Sequence, residues 1–257
     1  MKKIGLFFVI VGFGVGGVLA HLQYLQTQTR EGVDTPFVRG VTINHHLLAP
    51  DLIRLGLSKI ATDEPRVVVL ISPNHFDQGH YPFITSQRDW QISGAYEIIS
   101  RIAATKKMYV DETPFVREHG VYNVMPFIAT ALPHARVVPI IVKDTATDTE
   151  IDALADELFA QLPLNAVVVG SFDFSHHHTA RVAAAHDVVS IAALHNFDFE
   201  MIKKTDTDSR PGLRLMLKLL SRYGARSMTL LANTNAGERM RDLVTPEATS
   251  YVIAEFE

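Results

Sequence analysis

Cysteine is absent from the 257-residue chain. This absence excludes disulfide scaffolds, zinc sites built from thiolates and cysteine nucleophiles. It does not assign a redox compartment, because a protein without cysteine can work on either side of a membrane. Any metal chemistry must therefore depend on carboxylates and on the 12 histidines.

An excess of basic residues is also missing. Lysine and arginine together number 24 against 28 aspartates and glutamates, which gives a formal net charge of −4, and the basic residues are scattered. A nucleic-acid-binding protein usually carries a basic face, so we expect no nucleic-acid partner. With 47% hydrophobic and 20% charged residues the chain can bury a large core. Its length suits one large α/β domain or two small ones.

Residues 1–25 differ from the rest of the chain. After Lys2 and Lys3 no formal charge occurs before Arg30, and the apolar stretch is long enough to cross a hydrocarbon layer at about 1.5 Å per residue. We expect a transmembrane anchor helix with cytoplasmic lysines and an extracytoplasmic domain. A signal peptide is the alternative, since Val18-Leu19-Ala20 resembles a cleavage site, and cleavage would make the protein an exported one. A buried helix of a soluble fold is a third interpretation.

Residues 26–37 form a polar linker, and residues 38–257 alternate between short β-branched runs and helical periodicity. The predicted strands are Val41–Asn44, Arg66–Ile71, Arg136–Val142, Ala166–Gly170, Ser227–Ala232 and Ser250–Glu255. The predicted helices are Pro50–Ile60, Ser93–Ala104, Val121–Leu132, Glu150–Gln161, Thr179–His195 and Pro211–Tyr223. Several strands are apolar on both faces, which indicates an α/β fold with a mostly parallel central sheet flanked by helices on both faces.

Polar residues follow three of the predicted strands. Asn44-His45-His46 follows the first, His75 follows the second, and Ser171-Phe172-Asp173-Phe174-Ser175-His176 follows the fourth. In a parallel sheet, ligands bind at the carboxyl ends of the strands. We therefore expect these side chains to meet at one edge of the sheet.

Two loops that precede helices could join them. Glu118 and His119 precede the helix near Val121, and Asp206 and Asp208 precede the helix near Pro211. Each has a structural alternative, because Asp208, Ser209, Asp173 or Ser175 could cap a helix and His119 could be a solvated loop residue. The remaining histidines are predicted to be structural or solvated: His80, His134, His177, His178, His186 and His195.

The segments NHHLLAP, SPNHF, EHGVYNVMPF and GSFDFSHH resemble the Memo-like family, which includes the bacterial AmmeMemoRadiSam system protein B group. That family in turn is similar to the class III extradiol dioxygenases. The resemblance runs from about Val41 to Glu255 and leaves the N-terminal segment outside. It implies the class III extradiol dioxygenase/Memo-like fold.

The resemblance also implies a metal-ligand set. His45 corresponds to the first metal-ligating histidine of the family, with His46 as the alternative, and His75 corresponds to the second. Where Memo proteins carry a cysteine as third ligand, this chain has Asp208 after a one-residue gap, and the dioxygenases use a carboxylate as third ligand. The residues that match the other catalytic side chains of the dioxygenase-like pocket are His119, His176 and Asp173.

Two imidazoles and one carboxylate suit Fe(II) and leave coordination positions open, although zinc accepts the same ligands. Replacing a thiolate by a carboxylate removes an oxidisable ligand. His119 or His176 could act as a general base on a phenol, and Asp173 could fix the tautomer of a neighbouring histidine.

The implied function is that of a dioxygenase-like oxidoreductase with a mononuclear metal site and a small-molecule, phenolic substrate. The alternative is a non-catalytic module of the same fold that binds a metal or a peptide. A zinc hydrolase is a third interpretation, although the chain has neither an H-E-x-x-H nor a G-x-S-x-G motif. The system from which the bacterial group takes its name also implies a radical-enzyme partner.

Overall fold

The structure is a computed structural model that describes residues 37–61 and 67–257, and within these residues eight strands form one sheet. Their order across the sheet is β4-β3-β5-β2-β6-β1-β8-β7. The strands are β1 (Gly40–Ile43), β2 (Val67–Pro73), β3 (Phe83–Thr85), β4 (Tyr109–Val110), β5 (Arg136–Val142), β6 (Val167–Ser171), β7 (Met228–Asn235) and β8 (Ser250–Phe256).

The sheet is mixed, with four parallel and three antiparallel pairs of neighbouring strands, so the predicted mostly parallel sheet is confirmed only in part. Strands β5, β2, β6 and β1 are neighbours and run parallel to one another. Strand β8 runs antiparallel to both β1 and β7, and β3 runs antiparallel to β5. The buried central strands are apolar on both faces, whereas β7 at the sheet edge is partly exposed, as antiparallel edge strands commonly are.

Nine α-helices are described, together with a 3₁₀ turn at Pro114–Val116. The helices are α1 (Pro50–Ile60), α2 (Tyr96–Ala104), α3 (His119–Tyr122), α4 (Met125–Ala131), α5 (Asp148–Gln161), α6 (Ala180–His195), α7 (Phe199–Ile202), α8 (Arg210–Arg222) and α9 (Ala236–Met240). The helix predicted at Val121–Leu132 is two short helices. Pro126 in the first turn of α4 explains the restart, because proline has no N–H to donate to a preceding turn.

Two hydrophobic cores lie on opposite faces of the sheet, as the alternation of β2 shows. Val67, Val69 and Ile71 pack with residues of α2, α5 and α8. Val68 and Leu70 pack with residues of α1 and α4. Because successive side chains of a strand point to opposite faces, one apolar strand serves both cores. Burial on both faces holds the carboxyl ends of the central strands in place, and the polar loops leave from these ends.

The prediction for residues 1–25 lies outside the described residues, as does most of the predicted linker at 26–37. None of the helices in the described part of the chain is long and apolar enough to cross a membrane. Residues Phe37–Glu257 form one compact unit.

Candidate metal site

Three neighbouring parallel strands deliver polar residues to one edge of the sheet. In the order β2-β6-β1, His75 follows β2, Asp173 follows β6 and His45 follows β1. The rings of His45 and His75 lie edge to face with their centroids 5.0 Å apart. The expected meeting of these loops is therefore what the structure has, and it follows from the parallel pairing of β1 and β2 with β6.

His45 is buried, and one nitrogen of its ring is hydrogen-bonded to Ser171. Its side chain is only 2% exposed, and Nδ1 lies 3.2 Å from the hydroxyl oxygen of Ser171. Ser171 donates its hydroxyl proton to the carbonyl of Gly120 at 2.7 Å. The Ser171 oxygen can therefore only accept from His45, which places the proton on Nδ1 and leaves the lone pair on Nε2. Burial lowers the pKa of His45 well below its usual value, and the neighbouring His75 and His119 lower it further.

His75 is hydrogen-bonded through two of its nitrogens to the buried carboxylate of Glu118. The ring Nδ1 lies 2.6 Å from Oε1 of Glu118, and the backbone N–H of His75 donates to Oε2 at 2.9 Å. Burial opposes the charge of His75, but hydrogen bonds with Asp208 and Glu118 outweigh it and raise its pKa to about 10. Burial likewise opposes ionisation of Glu118, yet its hydrogen bond with His75 leaves the pKa of the carboxyl below its usual value.

Asp208 faces both histidines with one oxygen. Its Oδ2 lies 3.4 Å from Nε2 of His45 and 3.6 Å from Nε2 of His75. The same oxygen accepts a hydrogen bond from the backbone N–H of Asp173 at 2.9 Å. The side chain is 6% exposed. Burial, and then the nearby charge of Asp173, raise the pKa of Asp208 to about 7.

Asp173 is a second carboxylate close to Nε2 of His45. Its Oδ1 accepts the backbone N–H of His45 at 3.2 Å, and its Oδ2 lies 3.4 Å from Nε2 of His45. Burial raises the pKa of this carboxyl above its usual value. These contacts place the carboxyl of Asp173 against both the backbone and the ring of His45.

The two remaining predicted catalytic histidines differ in position. His119 stacks on His75 with ring centroids 3.9 Å apart and lies 5.2 Å from His45, ring to ring. His176 follows β6 and is partly buried, and the negative charge of Asp173 works against burial by raising the pKa of this imidazole. Burial lowers the pKa of both imidazoles, and the charge of His75 lowers that of His119 further. A neutral imidazole can accept a proton, which a general base requires.

Glu118 and Tyr251 were not assigned a role in the site from the sequence. Glu118 precedes a short helix and was noted only for its position, yet it is the partner of His75. Tyr251 is a buried residue of β8, and its hydroxyl lies 2.6 Å from Nδ1 of the exposed His46. His46 thus points to Tyr251, while His45 faces Asp208.

The other histidines of the segment after β6 lie away from this group. His177 is exposed and pairs with Glu247 at 2.7 Å, as expected for a solvated residue. His178, predicted to be solvated, and His186, predicted to be structural, lie beside Asp206, and these three residues could hold a metal ion.

His45, His75 and His119 form a group whose ligand atoms all lie within 4.8 Å of one another, so they could hold a metal ion. The carboxylate of Asp208 faces Nε2 of His45 and Nε2 of His75. Two ligand atoms that each lie about 2.1 Å from one tetrahedral ion are about 3.4 Å apart. The distances from Oδ2 of Asp208 to Nε2 of His45 and to Nε2 of His75 are close to this value. The donor set therefore fits a divalent transition metal.

Comparison with known proteins finds relatives of one family. A protein of Caldivirga maquilingensis described as a MEMO1 family protein is 30% identical over 145 residues, which are 53% of this chain and 51% of that protein. A MEMO1 family protein of Thermotoga maritima is 25% identical over 55% of this chain and 54% of its own length. The chain thus spans about half the length of these two relatives. A further relative in Nitrosopumilus maritimus is 23% identical, with 77% and 76% covered.

Among solved structures, the uncharacterized protein JW3007 from Escherichia coli K12 has a similar fold. The TM-score is 0.60 at 11% sequence identity, with 86% of this chain and 100% of that chain covered. A likeness at this identity concerns the fold alone. The model of the family described as Memo-like protein matches residues 47–244, which include His75, His119, Asp173, His176 and Asp208. The chain belongs to the Memo-like protein family.

Proposed function

We propose that this protein holds one divalent metal ion, Fe(II), between His45, His75 and Asp208 and acts as a dioxygenase-like oxidoreductase on a small phenolic molecule. One observation carries the proposal. The Nε2 atoms of both histidines lie 3.4 and 3.6 Å from the same carboxylate oxygen of Asp208. Their Nδ1 atoms are hydrogen-bonded elsewhere, so Nε2 is the nitrogen of each ring that can bind an ion at that point.

The ligand chemistry supports iron as the ion. Two neutral imidazoles and one carboxylate on one face of an ion leave its other positions open. When bound, Fe(II) would supply a Lewis-acidic, redox-active centre at these open positions. The carboxylate of Glu118 on the far side of His75 orients the ring and makes Nε2 a stronger donor. Zinc accepts the same donors, so metal identity is part of the test.

The uncoordinated residues have roles that their surroundings support. His119 stacks beside His75 and is partly exposed, so it can accept the proton of a phenol that binds next to these two rings. His176 is the second candidate base. Asp173 holds the backbone of His45 and faces its ring, which keeps that ligand oriented.

The experiment is to load the full-length chain anaerobically with Fe(II) and to measure metal content and O₂ consumption with a panel of catechols. One iron per chain with catechol-dependent O₂ uptake is the expected result. Bound metal without O₂ uptake for any catechol would instead favour the non-catalytic metal- or peptide-binding module. Retained zinc together with hydrolysis of an ester panel would favour a hydrolase.

The ligand assignment has its own test in His75→Ala, which should abolish stoichiometric Fe(II) binding. Exposed His195 provides the control, since His195→Ala should bind the same amount of metal as the unmodified chain. Circular dichroism of both variants would show that the fold is intact. Unchanged iron content in a folded His75→Ala protein would refute the assignment.

A further inference from the structure

A second group of metal-binding side chains lies outside the site described above. The ring Nδ1 of His186 is 2.8 Å from Oδ2 of Asp206, and Nε2 of His178 is 3.5 Å from the same oxygen. The two rings meet edge to face with their centroids 4.7 Å apart. One ligand atom from each of the three residues lies within 4.8 Å of the other two. None of the three belongs to the ligand set of the first site.

Three different parts of the fold hold the three residues in place. His186 lies within helix α6, and the carbonyl of His178 accepts the backbone N–H of Ala248 at 2.9 Å. Asp206 lies in the loop before α8, where the hydroxyl of Ser175 donates to its Oδ2 at 2.7 Å. Side chains held by a helix, a backbone bridge and a buried hydroxyl need little reorganisation to share an ion.

Asp206 and Asp208 belong to the same short antiparallel ribbon. Thr207 pairs with Phe174 across this ribbon, so Asp208 faces Asp173 while Asp206 faces Ser175. Residues two apart in an extended strand are about 7 Å apart. The ribbon therefore supplies one carboxylate to the first site and a different carboxylate to the second group.

The exposure of the second group suits an ion that enters from solvent. The side chains of His178, His186 and Asp206 are 39%, 40% and 32% exposed. By contrast, the ligands predicted for the first site range from 2% to 19% exposed. A partly exposed set of two imidazoles and one carboxylate matches the donors of a tetrahedral Zn²⁺ whose fourth ligand is water.

We propose that His178, His186 and Asp206 form a second metal site that takes Zn²⁺ or a similar divalent transition metal. It is independent of the metal and the reaction at the first site. Ser175 orients the carboxylate ligand through its hydroxyl, in the way that second-layer hydrogen bonds commonly position metal ligands.

The test is Zn²⁺ binding to the full-length chain, purified without a histidine tag, by equilibrium dialysis with metal analysis. His186→Ala and Asp206→Asn should each lower the stoichiometry by one ion, or weaken one binding event at least 10-fold. His195→Ala is the matched control, since His195 lies at the exposed end of the same helix and should change nothing. Asp206→Asn keeps an oxygen that can accept from Ser175, so the loop should stay folded.

A second measurement separates the two sites. In the His75→Ala background, Zn²⁺ should still bind at one site and should shift the imidazole NMR resonances of His178 and His186. If the first site binds no metal at all, the unmodified chain should still bind one Zn²⁺ that His186→Ala removes. Unchanged Zn²⁺ stoichiometry and affinity in folded His186→Ala protein would overturn the proposal, and the three residues would then be a hydrogen-bonded cluster only.

Discussion

Glu118 holds His75 through two atoms at once, with one carboxylate oxygen 2.6 Å from the ring Nδ1 and the other 2.9 Å from the backbone nitrogen. The first of these oxygens also accepts the backbone N–H of Gly120 at 3.0 Å. A single buried carboxylate thus satisfies three donors and sets both the position and the orientation of one imidazole. Orientation of a ligating histidine by a carboxylate is a common determinant of metal affinity.

Glu118→Gln should weaken Fe(II) binding roughly 10- to 100-fold, because glutamine offers one acceptor oxygen and a donating NH₂ group where three donors converge. Competition with a chromophoric chelator would measure the change. The control is Glu247→Gln, which alters the exposed pair of His177 and Glu247 and should leave Fe(II) affinity unchanged. An equal affinity in Glu118→Gln and the unmodified chain would contradict the role given to Glu118.

Asp208→Ala should lose stoichiometric metal binding, whereas Asp208→Cys should keep it. Alanine removes the shared oxygen between His45 and His75, so Fe(II) should bind substoichiometrically. Memo proteins carry a cysteine as third ligand where this chain has Asp208, so Asp208→Cys should still bind metal. Binding should then be sensitive to peroxide, because a thiolate is oxidisable. Metal analysis before and after peroxide treatment would measure both effects. Full binding in Asp208→Ala with loss in His119→Ala would instead identify His119 as the third ligand.

Metal affinity should rise with pH. Without metal, the pKa of His75 is about 10 and that of Asp208 about 7, so His75 carries a proton at neutral pH that a metal ion must displace. At a pH below the pKa of one of these groups, a metal ion must displace the proton of that group. The logarithm of the apparent binding constant should then rise by about one per pH unit for each such group. Calorimetry at pH 6 to 8 in buffers of different ionisation enthalpy would count the protons released. A pH-independent constant without proton release would contradict this prediction.

Gly170→Ala should destabilise the fold. A Cβ at this position in β6 would contact the sulfur of Met216 in α8 and the ring of Phe172 at distances that require these groups to move. Overpacking of this kind costs about 1–3 kcal/mol in the free energy of unfolding. Urea denaturation would measure it, with exposed Thr229 as control, since Thr229→Ala should stay within about 0.5 kcal/mol. Equal stability of Gly170→Ala and the unmodified chain would show that α8 can shift away from the sheet.

Much of the fold could be predicted because its elements have strong patterns. The run at Arg136–Val142 is apolar on both faces and has the predicted bounds, as does the amphipathic helix Pro50–Ile60. Strands β3 and β4 were missed, because strands of three and two residues carry too little alternation to be recognised. The antiparallel direction of β8 could not be read from its composition, since an inner strand is apolar in either direction.

The candidate site was predictable where residues follow strands and was not where partners come from distant segments. His75 and Glu118 are 43 residues apart, and no spacing rule joins them. Tyr251 lies in an apolar strand, whose composition gives no indication that the hydroxyl contacts His46. His186 has a helical position that favours a structural interpretation, and only the placement of Asp206 beside it shows a group that could hold a metal ion.

The position of β8 in the sheet has a consequence for biosynthesis. This strand follows all the other described strands in the chain, yet it inserts between β1 and β7, and the carbonyl of Ser250 accepts the backbone N–H of Phe174, next to Asp173. During translation the loops after β1, β2 and β6 leave the ribosome long before this strand does. The residues around Asp173 therefore reach their final arrangement only after the chain has been synthesised as far as residue 256, so we expect the candidate site to form late in folding.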